Sequence, residues 1–185
     1  MPHRAMITSI AATLLVPIGP SLVRPQATVA QKIASAMAAA PASIAKGAMI
    51  VDRAGTDGKM KILRQGTNGW TCMPNDPKPK YANNNAMCMD ANFADFMAAM
   101  RARKRPALKA MGLAFMLTSD QWISNTTPSA KVPTPDNEWH HVSSAMMIAY
   151  PDRSTLAGLP VKPTNTGAYV MWANTPYAHV MIPLK

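Results

Sequence analysis

Acidic side chains are scarce in this chain of 185 residues: eight aspartates and one glutamate, Glu138, stand against 19 lysines and arginines. Chemistry that needs paired carboxylates, such as glycoside hydrolysis, has little to draw on beyond Asp136 and Glu138. Charged residues make up only 15% of the chain, too few for a disordered polyelectrolyte. Nine glycines without a triplet period exclude a collagen-like chain. No apolar run reaches the ~20 residues of a spanning helix, which excludes a polytopic membrane protein. Aromatics are 6% of the residues, so the core has to come from aliphatic side chains and the 16 methionines. What is abundant is apolar material, at 48%, and proline, at 17 residues, the composition of one packed domain with many turns.

Residues 1–30 read as a secretory signal peptide. Arg4 supplies the positive start, Ala5 to Val16 is an apolar run broken by Thr8, Ser9 and Thr13, and Pro17, Gly19 and Pro20 end it. Thr28-Val29-Ala30 offers small residues for cleavage after Ala30. The mature chain then has no transmembrane span and is periplasmic or secreted. Losing Arg4 and Arg24 leaves 17 basic and nine acidic groups, a formal charge of +8 that suits an anionic envelope component or ligand. Arg101, Arg103, Lys104, Arg105 and Lys109 are clustered, without interleaved aromatics that would stack on bases, so no nucleic-acid partner is expected.

In an oxidising compartment two cysteines pair with each other, which predicts a Cys72–Cys88 disulfide. The segment between them, with Pro74, Pro77, Pro79 and the run Asn83-Asn84-Asn85, has almost nothing to bury. Closing a ring of this size is worth about 3 kcal/mol by loop entropy.

The patterning predicts a single α+β domain over 31–185: an antiparallel sheet of about five to seven strands with two main helices against one face. Ile33, Met37, Ala40 and Ile44 recur at helical spacing, with Pro41 either kinking the helix or starting a second turn. Residues 48–53 and 59–65 form a hairpin through Asp57-Gly58, and Trp70 to Met73 a short strand. Asp90 or Asn92 caps a helix carrying Phe93, Phe96, Met97 and Met100 on one stripe, loaded with cations at its end and stopped by Pro106. Strands are expected at 111–118, 142–150, 168–173 and 177–184, the last two a hairpin through Asn174-Thr175-Pro176. Residues 124–137 read as loop, and 151–159 as holding one helical turn capped by Asp152 or Ser154.

No catalytic constellation stands out. Three histidines follow the leader, and adjacent His140 and His141 point to opposite faces of a strand, while a helical i, i+4 pair is absent. Ser143 and Ser144 lack a Gly-x-Ser-x-Gly elbow, and the glycine-rich turns lack the lysine and serine of a phosphate loop. The methionines invite a Cu(I) reading, but most occupy apolar positions of the elements above, so neither a metal nor a cofactor is expected.

The stretches Gly66-Thr67-Asn68-Gly69-Trp70-Thr71-Cys72 and Trp172-Ala173-Asn174-Thr175-Pro176-Tyr177-Ala178-His179 resemble segments of a family of exported bacterial proteins with no established activity. The resemblance extends over most of residues 31–185 and supports treating Cys72–Cys88 and Trp172–His179 as two units. The expected function is an exported, non-catalytic binding domain for a small ligand, with an aromatic and histidine surface of Trp172, Tyr177 and His179 joined by His140 or His141. Two alternatives stand beside it: a metal-dependent or hydrolytic enzyme using His140, His141 and His179, and an envelope-associated structural protein that binds anionic surfaces.

Overall fold

A computed structural model describes residues 27–53, 60–77, 79–164 and 166–184. Residues 1–26, most of the expected leader, lie outside it, as does the Asp57-Gly58 turn. Helix α1 (Val29–Met37) begins at Thr28, whose hydroxyl accepts from Gln31 N at 3.2 Å while the Gln31 side chain accepts from Thr28 N at 2.8 Å. This reciprocal capping satisfies two backbone donors at the helix start. The expected cut after Ala30 falls inside this first turn. Pro41 starts a second piece, α2 (Ala42–Ala45), the second of the two outcomes its ring allows.

The chain then builds β1 (Met49–Val51), β2 (Ile62–Arg64), β3 (Thr71–Met73), β4 (Ala82–Asn84) and β5 (Met87–Met89). Helix α3 (Ala91–Arg101) follows, then β6 (Gly112–Met116), β7 (Asp120–Ser124), β8 (Trp139–Val142) and β9 (Ala145–Ala149). A 3₁₀ turn at Arg153–Leu156, capped by Asp152, leads to β10 (Tyr169–Met171) and β11 (His179–Pro183). Eight strands form one sheet in the order β10-β11-β9-β6-β5-β3-β1-β2, and β4-β7-β8 form a second.

Three expectations need correction. The described strands number more than five to seven, because β4, β5, β7 and β8 rise from segments read as loop or as the flank of another strand. The large sheet is mixed: β1 lies between β2 and β3 and pairs with β3 in parallel, Ile50 opposite Cys72. The helices cover opposite faces. Alternate residues of β5 decide this: Cys88 packs with Ala36, Ala39 and Ala40 of the α1 segment, whereas Met87 and Met89 pack with Phe93 and Phe96 of α3. The hairpins β1–β2 and β10–β11 and the Cys72–Cys88 disulfide form as expected.

Helix α3 is held tightly at its start. Asp90 accepts from Phe93 N at 2.8 Å with one oxygen and from Leu113 N at 3.0 Å with the other, so a single carboxylate caps the helix and ties it to β6. A Cβ on Gly112 would stand 2.6 Å from Phe93 N, so only glycine permits this approach. The helix closes with Arg103 at φ 55°, its N–H donating to Met100 O and that of Lys104 to Ala99 O, a Schellman ending built without glycine.

Candidate functional site

The segment Trp172–His179 forms the turn between β10 and β11. The Thr175 hydroxyl donates to Trp172 O at 2.9 Å and accepts from Tyr177 N at 3.1 Å, closing the turn from within. Trp172 takes φ 56°, unusual for so bulky a residue, and is fixed there from both ends. Its backbone N–H donates to Asn125 O at 2.7 Å and its indole N–H to Ser124 O at 2.9 Å. These bonds also clamp the small sheet to the large one.

The aromatic side chains of this turn face inward. Trp172 is 6% exposed and His179 1%, so neither presents a surface. The His179 ring meets Trp172, Phe96 and Phe93 at 5.0, 5.6 and 6.2 Å between centroids. Its Nδ1 lies 3.0 Å from Tyr177 O, which makes Nδ1 the protonated nitrogen. Burial pushes its pKa down to about 4. Tyr177 is half-buried with its ring edge-on to Phe96.

His140 and His141 point to opposite faces of β8. His140 turns inward, its Nε2 3.0 Å from the Tyr169 hydroxyl. Burial lowers the His140 pKa and raises that of Tyr169 to about 12. His141 faces outward, 2.8 Å from Asp120 Oδ1, beside Trp122, which is 51% exposed. The His141 and Asn83 hydrogen bonds hold the Asp120 carboxyl below the usual range. The structure thus gathers Trp172, Tyr177 and His179 behind one wall, places His140 against Tyr169, and separates His141 from them all. Among the described residues, no group of three or more His, Cys, Asp or Glu side chains is placed to hold a metal ion.

In front of that wall lies a cleft of about 300 Å³. Three stretches of chain make it: Arg105, Pro106 and Leu108 after α3; Tyr150 to Arg153 after β9; and Pro176 with Ala178 from the β10–β11 turn, with Phe96 among the lining side chains. Arg153 donates from Nη2 to Ala173 O at 3.2 Å, while its buried Nε has no hydrogen-bond partner among the described residues. Leaving such a donor unmet costs about 1–3 kcal/mol. Asp152 also lines the cleft, but its two oxygens already accept from Ser154 N at 2.8 Å and Ser154 Oγ at 2.7 Å. Those bonds lower its pKa and keep it ionised.

Comparisons with protein-family models, with curated proteins and with solved structures found no match to this chain. The site therefore has to be read from its own geometry. The sequence alone did not bring together Arg105, which follows α3, with Tyr150 and Arg153, which follow β9. The available signal was Tyr150-Pro151-Asp152-Arg153, a strand end running into a capped turn, where loop side chains gather around a rigid scaffold.

Proposed function

We propose that the protein is an exported, non-catalytic binding domain that takes a small ligand in the cleft between the end of α3 and the β10–β11 turn. One observation carries this reading: the cleft brings Tyr150, Arg105 and Arg153 together beside the apolar side chains of Phe96, Leu108 and Pro176, so that a small ligand would meet both polar and apolar groups there. The volume is at the small end of the roughly 300–1,000 Å³ that such pockets span. Export draws support from the leader-like start and from the oxidised cysteine pair, and no helix among the described residues is long and apolar enough to cross a membrane. A binding role is favoured over a hydrolytic one because each of the three described histidines is engaged with a different partner: Tyr169, Asp120 and the Tyr177 carbonyl.

On this reading Trp172, Tyr177 and His179 shape the cleft from behind, through their packing on Phe96 and on one another, and do not touch the ligand. Amide chemical shifts followed while benzoate, isovalerate and their amides are titrated into the oxidised protein test this. Joint movement of the Leu108, Arg153 and Ala178 amides is expected. Movement confined to Trp122 and His141 would transfer the binding surface to the outer face of the small sheet and overturn the cleft.

A further inference from the structure

We infer that the cleft receives a small organic monocarboxylate, its charged end held by Arg153 and Arg105 and its apolar body laid against Phe96, Leu108 and Pro151. The inference rests on the cleft being the binding site and adds the class of ligand.

Charge decides it first. Two guanidinium groups line one small cleft, and among the described residues no carboxylate forms an ion pair with either. The one carboxylate in the lining, Asp152, is occupied by Ser154. Two positive and one negative side chains leave the lining with a net charge of one, the complement of a singly charged anion and a poor match for a dianion. A planar carboxylate is the acceptor that suits a guanidinium fork, and charge-assisted bonds of this kind are stronger than neutral ones.

The surroundings point the same way. Arg101, Arg103, Lys104 and Lys109 are all exposed and flank Arg105 in the chain, with no ion pair to any described carboxylate. A concentration of one sign of charge around a low-dielectric cleft raises the local concentration of the opposite ion. Besides Tyr150, the rest of the lining is Phe96, Leu108, prolines and Ala178, which give an apolar body contacts that a bare inorganic anion cannot use.

The test compares matched pairs on the full oxidised chain: benzoate against benzamide and isovalerate against isovaleramide, with inorganic phosphate as a third probe. At least one acid is expected to bind at least tenfold more tightly than its amide, with the Arg153 and Leu108 amides shifting. Arg153→Gln should abolish that preference. Arg105→Gln, at an exposed position with no hydrogen bond or ion pair to the described residues, should reduce it several-fold and keeps the test decisive if the first variant is unstable. Equal affinity for acid and amide at the cleft would overturn the carboxylate and leave the cleft standing. Phosphate binding more tightly than either acid would overturn the monocarboxylate class. Absence of any shift at the cleft with all five probes would overturn the inference and the cleft together.

Discussion

His179 shows how a single side chain changes meaning between sequence and structure. A histidine beside Trp172 and Tyr177 reads as a binding group, yet the ring is enclosed by Trp172, Phe93 and Phe96 and bonded to the Tyr177 carbonyl. It is a neutral wedge that keeps Phe96 against the cleft. The consequence is measurable as acid sensitivity. With its pKa lowered to about 4 from an ordinary 6.5, the native state declines a proton that the unfolded chain accepts between those values. Stability from this group is full above pH 6.5 and falls as pH drops toward 4, by on the order of 3 kcal/mol. His140, also lowered by burial, acts in the same direction. Urea unfolding at pH 7.5 and 4.5, with the His179 ring protons followed by NMR, checks this. A ring that titrates near 6.5, or an unchanged unfolding free energy, would contradict the enclosure.

At the level of elements, the cleft depends on where α3 lies, and α3 depends on Gly112. Adding one methyl there places a Cβ 2.6 Å from Phe93 N, a backbone atom, so the helix has to shift. Gly112→Ala is expected to cost about 1–3 kcal/mol, as overpacking does. Gly167→Ala, where an added Cβ meets nothing within 4 Å, is the matched control and should lie within about 0.5 kcal/mol of the parent. Equal costs in thermal or urea unfolding would refute the close approach. Helix α3 was legible because its stripe, its Asp90 cap and its basic end agree locally. Strand β5 was not, because Met87-Cys88-Met89 is too short to show a period and its partners, β3 and β6, are distant in sequence. Strands β4, β7 and β8 hid for a related reason. They mix Asn, Asp, Gln and His with Trp, and they become strands by pairing with each other rather than by local preference. The cleft was illegible because it exists only where the end of α3, the end of β9 and the β10–β11 turn meet.

Across the whole molecule the large sheet separates two cores, one rich in methionine and aromatic rings under α3 and the small sheet, the other built from small side chains under α1. The disulfide belongs to the second. Cys72 and Cys88 sit opposite each other in β3 and β5, fully buried, with Ala36, Ala39 and Ala40 above them. The segment between the cysteines has little apolar material and is ordered instead by amides and one arginine. Arg53 donates to the carbonyls of Pro74 and Asn85, Asn85 N donates to the Asn75 side chain at 3.0 Å, and Asp76 N donates to that of Asn85 at 2.8 Å. Neutral bonds of this kind contribute about 0.5–1.5 kcal/mol each and those from the Arg53 guanidinium about 1.5–3 kcal/mol, so the ring closure and this network share the ordering of the segment. Replacing both cysteines by alanine should therefore lower stability by about 3 kcal/mol. Hydrogen exchange should quicken at Asn85, Ala86 and Asp76 well before it does at β9 and β11, which pair with each other away from the disulfide. Because the sulfurs lie beneath α1, reduction of the native protein should be slow and should speed up in mild denaturant. A variant as stable as the parent, or exchange that quickens uniformly, would show that the amide network holds this segment without the crosslink.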